Sequence, residues 1–507
     1  MFPFKSSIEF SKNTSTPVYV QISNQIIQLI LRGALMPNTK LPGSRILAEI
    51  LEVHRKTIIA TYDELKFQGW IQIIPYKGTF VNSQLPILKK IEIPIPENSK
   101  MSGKGTAGFS FTKNKYKHRL SFPIKEDMLF VGDGIPDNRL IPIDEIATLY
   151  RSVVKRKQHI KHFGYGSAYG NLELRKSLVK YLNETRGLSI DIDQILITRG
   201  SQMGLYLASK LIIGEKKEIV VGNSNYRTAN DTFIEANGRI NNVSVDNNGL
   251  IIEEIADLCK HKKIAIVYVT SHHHYPTTVT LSAERRVHLL ALAKKYKFAI
   301  IEDDYDYDFN YNNAPIMPLA SIDINGSVVY IGSISKILAP GLRIGYLIAS
   351  KDFITEAAES RKAIDKQGDH LMEITMSYMI KEGNLQRHSK KTLKIYKQRR
   401  DLFCYLLKER LGEYFDFEIP NGGMAIWVTL DKKYDWDQGR NVALDHNLYL
   451  HNPRRYHTGI MNDRAIRMGF SSLNETEIRQ VITILENVFS SINKRQNITF
   501  VKKSNNP

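Results

Sequence analysis

The first eighty residues follow a helical pattern of apolar positions. Isoleucines recur every four positions in residues 22–30, up to a stop at Gly33, which predicts a helix with one apolar face. Two further helical patterns follow, one over residues 45–51, which Ser44 would cap, and one over residues 55–68. Because about three residues separate these two helices, the spacing predicts a helix-turn-helix, whose second helix enters the major groove of DNA.

A strand pattern closes this region. Residues 70–74 and 79–81 are rich in β-branched and aromatic side chains, and they flank the turn Pro75-Tyr76-Lys77-Gly78. We therefore expect a two-stranded wing beside the helices. The alternative is a small helical domain whose basic side chains are simply solvated.

From residue 128 onward the pattern changes to short apolar, β-rich runs that alternate with helical stretches. The strand candidates are residues 195–198, 218–221, 264–269 and 298–301, and the helix candidates include residues 171–182, 202–212 and 283–296. This alternation predicts an α/β domain with a largely parallel sheet, in which ligands bind at the strand ends.

Composition marks the boundaries between these regions. Proline, lysine and polar residues dominate residues 83–127 without a period, which predicts a flexible linker. Its average span would be roughly 35–40 Å, enough to reach a neighbouring subunit. We divide the chain into a DNA-binding domain at 1–82, the linker at 83–127, an α/β domain at 128–493 and a polar, disordered tail at 494–507.

Charge and cysteine content narrow the class of protein. The net charge is +18 over 507 residues, and residues 1–128 carry half of it, with nine Lys/Arg against five Asp/Glu up to residue 82 and nine against four thereafter. A basic N-terminal quarter favours a polyanionic partner. Two cysteines and no apolar run of membrane-spanning length indicate a cytoplasmic protein without a disulfide framework or membrane association.

Candidate chemistry begins with Lys336. Ser333 and Ser335 precede this lysine and Arg343 follows it, at the exit of an apolar run over residues 328–331. An amine can form a Schiff base with an aldehyde, while hydroxyls and a guanidinium bind phosphate, so this group suits a phosphorylated aldehyde. The alternative is an exposed loop lysine.

Two further turns add to this candidate site. The acidic run 302–308 follows a predicted buried strand, so that Asp303 could keep a pyridine nitrogen protonated, although such runs are also solvated loops or cation sites. Gly200-Ser201-Gln202 lies at a strand-to-helix turn, where backbone amides can bind a phosphate.

The N-terminal region resembles the DNA-binding domain of GntR-type bacterial regulators. The residues that carry the resemblance are Leu41-Pro42-Gly43-Ser44-Arg45, Leu47-Ala48, Arg55-Lys56-Thr57, Tyr62, Leu65 and Gly78-Thr79-Phe80-Val81. The resemblance implies DNA contacts from Arg45, Arg55, Lys56 and Thr57, at the starts of the second and third helices. Glu52 and His54 depart from the family, which usually has glycine and serine there.

The larger region resembles fold type I pyridoxal-phosphate enzymes of the aminotransferase class, from about residue 130 to 489. The resemblance implies that Lys336 forms an internal aldimine with pyridoxal 5'-phosphate, that Asp303 pairs with the pyridine nitrogen, and that Tyr305 hydrogen-bonds the phenolic oxygen. It places Tyr226 on the cofactor ring and Arg467 on a substrate or effector carboxylate, where the alternatives are plain core packing for Tyr226 and a buried structural ion pair for Arg467. The phosphate would be surrounded by Ser201, Gln202, Ser333, Ser335 and Arg343, with Tyr165 reaching it from the other subunit.

Two features depart from that class or invite another interpretation. Tyr275 stands before Pro276 where aminotransferases commonly carry asparagine, which puts efficient catalysis in doubt. The adjacent histidines 272–274 suggest zinc, but neighbouring side chains diverge and lack further ligands at the usual spacing, so we expect no metal site.

Together the two resemblances identify the chain as similar to MocR/GabR-type regulators, a GntR subfamily. Our hypothesis is a homodimeric transcriptional regulator, head-to-tail swapped, that binds double-stranded operator DNA and senses an amino compound through Lys336. In a variant, pyridoxal phosphate itself is the signal. The alternatives are an active aminotransferase with an added DNA-binding domain, and a DNA-binding protein whose former enzyme domain only dimerises.

Overall fold

The computed structural model describes residues 2–85, 107, 109–112, 128–215, 217–311, 316–334, 336–457 and 464–504, with side chains up to residue 494. The chain divides into two compact units, residues 1–114 and 115–507. Most of the linker expected at 83–127 lies outside the described residues.

The N-terminal unit is a helical core with a small sheet. Its elements are α1 (Phe4–Ser7), α2 (Val18–Leu31), β1 (Lys40–Leu41), α3 (Ser44–Ile50), α4 (Arg55–Phe67), β2 (Ile71–Ile74) and β3 (Gly78–Val81). Ile22, Ile26 and Ile30 of α2 are buried, as their spacing predicts, and they pack in one core with Leu47 of α3 and Ile58 of α4. The helix-turn-helix and the β2–β3 wing therefore have the predicted order.

The sequence patterns missed two details of this unit. The two-residue strand β1 pairs with β3, so the sheet has three strands in the order β1-β3-β2. Ser44 is the first residue of α3 rather than its cap, since Gly43 holds the N-cap position and no side chain caps the helix there.

The larger unit contains many more elements. They are β4 (Leu129–Val131), α5 (Ile143–Lys155), α6 (Leu172–Arg186), β5 (Ile195–Thr198), α7 (Ser201–Ile213), β6 (Glu218–Gly222), α8 (Arg227–Glu235), β7 (Arg239–Val243), β8 (Val245–Asp246), β9 (Gly249–Leu250), α9 (Ile252–His261), β10 (Ile264–Val269), α10 (Ala283–Tyr296), β11 (Ala299–Asp304), α11 (Leu319–Ile322), β12 (Val328–Ser333), β13 (Gly345–Ile348), α12 (Lys351–Lys362), α13 (His370–Lys381), α14 (Asn384–Leu411), β14 (Phe415–Phe417), β15 (Ala425–Leu430), α15 (Trp436–Asp445), β16 (Leu448–Leu450), β17 (Ala465–Gly469) and α16 (Glu475–Ser504).

A seven-stranded sheet organises this unit, in the order β5-β13-β12-β11-β10-β6-β7. All neighbouring pairs are parallel except the two made by β13, which is antiparallel to both β12 and β5. Helices α7, α8 and α12 pack on one face, and α6, α9, α10 and α13 on the other. This three-layer arrangement confirms the predicted α/β fold with a largely parallel sheet.

In the C-terminal part of the same unit, helices pack against a second, smaller sheet. Strands β14, β15 and β17 make an antiparallel sheet, and α14, α15 and α16 pack in the core against it. Helix α16 continues to Ser504, so the segment predicted as a disordered tail from residue 494 is mostly helical. None of the described helices combines the length and apolar character needed to cross a membrane.

Candidate functional site

A cavity of about 290 Å³ lies at the carboxyl ends of the parallel strands, where α/β folds bind ligands. Asp303 is in β11 and Lys336 follows the end of β12 by three residues, so adjacent parallel strands bring the two side chains together. The lining residues are Asp133, Ile135, Ser201, Tyr226, Thr228, Tyr268, Thr270, Tyr275, Asp303, Tyr305, Lys336 and Arg455. Five of the predicted site residues are therefore among them.

Lys336 is placed as a reactive amine. Its Nζ donates a hydrogen bond to the carbonyl oxygen of Gly134 at 2.9 Å. Burial lowers the pKa of Lys336, and the nearby Arg467 guanidinium lowers it further. A lowered pKa increases the fraction of unprotonated amine, which is the nucleophilic form.

Asp303 is a buried carboxylate with one free acceptor atom. Burial raises its pKa to about 6, even though the Tyr268 hydroxyl donates to its Oδ2 at 2.9 Å. Its Oδ1 is buried and has no hydrogen-bond partner among the described residues. A cationic N–H in the cavity would donate a hydrogen bond to that atom, so the carboxylate of Asp303 fits a protonated pyridine nitrogen.

The turn before α7 offers an anion site at one end of the cavity. Gly200 caps this 13-residue helix with φ 74°, and a Cβ on Gly200 would lie 2.5 Å from Nη2 of Arg343, so the close approach of Arg343 requires glycine. Arg343 donates to the carbonyl oxygen of Arg199 at 2.9 Å. The helix N-terminus and this guanidinium together suit a phosphate.

Two of the predicted phosphate ligands, Gln202 and Ser333, make other contacts and do not line the cavity. Gln202 points toward α8, where its Nε2 donates to Thr232 at 2.6 Å, and it does not line the cavity. Ser333 donates to the carbonyl oxygen of Ile344 at 3.2 Å. Ser335 lies outside the described residues.

Arg467 is buried behind the tyrosines of the cavity wall. Its guanidinium donates to the carbonyl oxygens of Asp133 at 2.8 Å and Pro276 at 3.0 Å, and to the hydroxyl of Tyr305 at 3.3 Å. No carboxylate among the described residues pairs with it at salt-bridge distance. The alternative of a buried structural ion pair therefore has no support from the geometry, and Arg467 keeps its charge available.

Aromatic rings form one wall of the cavity. Tyr226 meets Tyr275 edge to face, with centroids 5.2 Å apart, and Tyr275 lies 5.1 Å from the Arg467 guanidinium. Tyr305 donates its hydroxyl to the carbonyl oxygen of His273 at 2.9 Å. Where an asparagine would supply an amide, Tyr275 thus supplies a packed ring.

Sequence patterns missed Asp133, Thr228, Tyr268, Thr270 and Arg455. Tyr268 could have been found from strand register, because it is paired with Ile301 and side chains two residues apart, such as Ile301 and Asp303, share a face. Asp133 follows β4, far from the strand ends in sequence, and no local signal marks it or Arg455.

Other predicted residues lie outside the cavity of this chain. Tyr165 is 83% exposed, with the Lys366 ammonium 4.3 Å from its ring centre. The three adjacent histidines bond in different directions, His272 to the Ile316 carbonyl, His273 to Asp306 and His274 to Thr277.

The predicted DNA-contacting residues lie at helix starts in the N-terminal unit. Arg45, Arg55 and Lys56 are exposed, and Thr57 is half-buried. His54, which stands where the family usually has serine, still caps α4, because its ring accepts a hydrogen bond from the Lys56 amide at 3.1 Å.

Glu52, in the turn between α3 and α4, carries backbone strain. Glu52 has φ 55°, the left-handed conformation that favours glycine. Its carboxylate pairs with Lys5 at 2.7 Å on the surface, which adds little stability.

Both the N-terminal unit and the larger unit match known families. Residues 141–485 match the model described as aminotransferase class I and II, and residues 18–81 match bacterial regulatory proteins of the gntR family. The chain belongs to the aminotransferase class I and II family. Its GntR-type helix-turn-helix precedes that domain, which confirms the resemblance to MocR-type regulators.

The relatives include proteins named as regulators and a solved aminotransferase. The chain is 28% identical to the uncharacterised HTH-type transcriptional regulator YdfD of Bacillus subtilis over 83% of this chain and 86% of that protein. It is 22% identical to the probable rhizopine catabolism regulatory protein MocR of Rhizobium meliloti over 95% of each. A crystal structure of kynurenine aminotransferase from Pyrococcus horikoshii, in complex with PMP, superposes with a TM-score of 0.67 at 27% identity, covering 72% of this chain and 91% of that one.

Proposed function

We propose that the protein is a DNA-binding transcriptional regulator whose aminotransferase-like domain binds pyridoxal phosphate and senses an amino compound. The observation that carries the proposal is the buried, unpartnered Oδ1 of Asp303 in the cavity that Lys336 lines. The GntR-type region supplies the means to act on DNA.

The residues present would hold each part of the cofactor. Asp303 would keep the ring nitrogen protonated, Tyr226 would lie against the ring, and Tyr305 would hydrogen-bond the phenolic oxygen. The N-terminus of α7, with Ser201 and Arg343, would bind the phosphate. Pyridoxal phosphate, when bound, supplies an aldehyde that bonds covalently to amines and a ring that withdraws electrons.

Sensing follows from competition between two amines. The Lys336 amine and the amino group of an effector need the same position in the cavity, so binding of one excludes the other. Arg467 would hold the effector's carboxylate with its remaining donors. A ligand that binds the two arrangements differently shifts the equilibrium between conformations, which is the requirement for allosteric control of the DNA-binding domain.

A dimer would complete the site. Tyr165 is exposed in the single chain, as expected for a side chain that reaches the phosphate of a neighbouring subunit. Two-fold DNA sites also require two helix-turn-helix domains. We propose a head-to-tail homodimer.

A working aminotransferase is the second candidate, and the adjacent Lys336 and Asp303 favour it. Against it, Tyr275 is buried among Tyr226, Tyr305 and Tyr456 and supplies no amide where aminotransferases commonly have asparagine. The regulator remains our proposal.

The test is DNA binding by the full-length dimer. A duplex would be selected from a randomised library with wild-type protein, and its affinity measured by fluorescence anisotropy with pyridoxal phosphate and a panel of amino acids. We expect an amino acid to change the affinity of wild type but not of Lys336→Ala. An unchanged response in Lys336→Ala would refute the role of Lys336 in sensing. DNA binding that no amino acid or pyridoxal phosphate changes would leave the large domain a dimerisation module only.

A further inference from the structure

The cavity wall contains a second guanidinium that the predicted site does not use. Arg455 lies in a short 3₁₀ helix, Pro453–Tyr456, and lines the cavity with Asp133. Its Nη2 lies 3.2 Å from Oδ2 of Asp133, and its Nη1 contacts the His451 ring. Its side chain is 36% exposed, so it is in contact with both the protein and the cavity.

Asp133 is already occupied as an acceptor. The Tyr456 hydroxyl donates to its Oδ1 at 2.8 Å, while Arg455 and His451 approach its Oδ2. Burial opposes ionisation of Asp133, but His451 and Arg455 hold its pKa below the usual value. A second ammonium group on a ligand would therefore find this carboxylate paired.

Arg455 still has donors to offer. A guanidinium carries five N–H donors. Among the described residues, Arg455 uses two nitrogens, one on Asp133 and one on His451, and its Nε has no acceptor. Because the side chain is 36% exposed, water can satisfy these donors, and an anionic group of a ligand can replace that water.

Arg455 and Arg467 flank the same residue from two sides. The carbonyl oxygen of Asp133 accepts from Nε of Arg467 at 2.8 Å, and the Asp133 side chain pairs with Arg455. Arg455 lines the cavity and Arg467 is buried behind its wall, so the two guanidiniums lie on either side of one wall residue, Asp133. Among the described residues, Asp133 is the carboxylate at salt-bridge distance from Arg455, and none lies at that distance from Arg467, on which the charges of Asp306 and Asp133 act from further away.

We propose that Arg455 binds a second anionic group of the effector, so that the sensor prefers amino dicarboxylates to neutral amino acids. This rests on the proposed function, in which Lys336 yields to the amino group and Arg467 holds the first carboxylate. Arg455 is then the residue that determines specificity.

The experiment uses the full-length protein loaded with pyridoxal phosphate and follows its visible absorbance during titration. The ligands are L-aspartate against L-asparagine and L-glutamate against L-glutamine, because each pair differs in a carboxylate replaced by an amide. Wild type should bind the better dicarboxylate about 10- to 100-fold more tightly than its amide, the range expected for a charged hydrogen-bonded pair.

Two substitutions of Arg455 and one control variant measure the contribution of the Arg455 side chain. Arg455→Gln should remove that preference while leaving the affinity for the amides within about twofold, and Arg455→Lys should retain part of it, since a cation without the planar fork remains. Arg454→Gln is the matched control, because the neighbouring Arg454 is exposed and pairs with Asp437 at 3.2 Å. It should behave as wild type.

Comparing ligand pairs within one variant separates specificity from any loss of stability. Equal affinity for acids and amides in wild type, or an unchanged preference in Arg455→Gln, would overturn the proposal while leaving the sensor intact. Failure of every amino compound to change the absorbance would instead reject the sensor itself, and this proposal with it.

Discussion

Replacing Asp303 with asparagine should stabilise the cofactor-free protein and weaken cofactor binding. The folded pKa of Asp303 is raised from 3.8 to about 6, and burial is the main cause. Each pKa unit corresponds to about 1.36 kcal/mol, so the ionised carboxylate lowers stability by up to about 3 kcal/mol above pH 6. Asparagine removes this charge and can still accept the hydrogen bond from Tyr268.

The sign of the pH dependence follows from the raised pKa. Between about pH 4 and pH 6 the folded protein retains a proton on Asp303 that the unfolded chain releases, so the contribution of this group to stability falls as pH rises through that window. The advantage of Asp303→Asn should accordingly be up to about 3 kcal/mol at pH 8 and below about 1 kcal/mol at pH 4.

Urea unfolding without cofactor, followed by tryptophan fluorescence, measures this difference, because Trp427 and Trp436 both lie in the larger unit. Asp304→Asn is the matched control. Its carboxyl also has a pKa raised to about 6 by burial, but it accepts from the Tyr330 hydroxyl and does not line the cavity. Both variants should show the pH-dependent gain in stability.

Cofactor titration then separates the two variants. Asp303→Asn should lose about 10- to 100-fold in pyridoxal phosphate affinity, as expected for removing a charged hydrogen-bond partner, while Asp304→Asn should lose far less. Equal losses in both variants, or lower stability of Asp303→Asn at pH 8, would refute the assignment of Asp303 as the buried partner of a cationic ring.

Two further predictions concern the DNA-binding and effector groups. Arg55→Ala and Lys56→Ala should each weaken DNA binding and reduce the slope of log affinity against log salt by about 0.9. The control Lys66→Ala, at the other end of the same helix, should change neither the affinity nor the slope. Unchanged affinity of the first two variants at matched salt would remove the assignment of α4 as the recognition helix. Arg467→Gln should retain the cofactor absorbance but weaken the amino-acid response about 10- to 100-fold. A retained amino-acid response would remove Arg467 as the group that holds the effector's carboxylate, whereas a wild type that responds to pyridoxal phosphate and to no amino acid would favour the cofactor itself as the signal.

The regular elements were predictable because their signals are local. The four strand candidates and three helix candidates of the larger unit correspond to observed elements with end shifts of a few residues. Lys336 and Asp303 were also accessible, because each follows or ends an apolar strand and parallel neighbours bring such ends together. The strand β1 was missed because two residues carry no period.

The remaining site residues depend on contacts between distant segments. Asp133 reaches the cavity because β4 pairs with β16, and the register aligns Leu129 with Leu448, more than three hundred residues later. Arg455 follows β16 and arrives beside Asp133 for the same reason. Gln202 was predicted as a phosphate ligand because it is next to Ser201 in the sequence. A helix turns by about 100° per residue, however, so Gln202 points toward Thr232 while Ser201 faces the cavity.

The most direct test of the sensor is the near-ultraviolet and visible absorbance of the purified protein with pyridoxal phosphate, compared among wild type, Lys336→Ala and the control Lys351→Ala, whose lysine is an exposed partner of Asp191. We predict a band that requires Lys336 but not Lys351 and that shifts with an amino acid without keto-acid formation. A band that is the same in Lys336→Ala would contradict the account, and steady keto-acid production would identify a working aminotransferase instead.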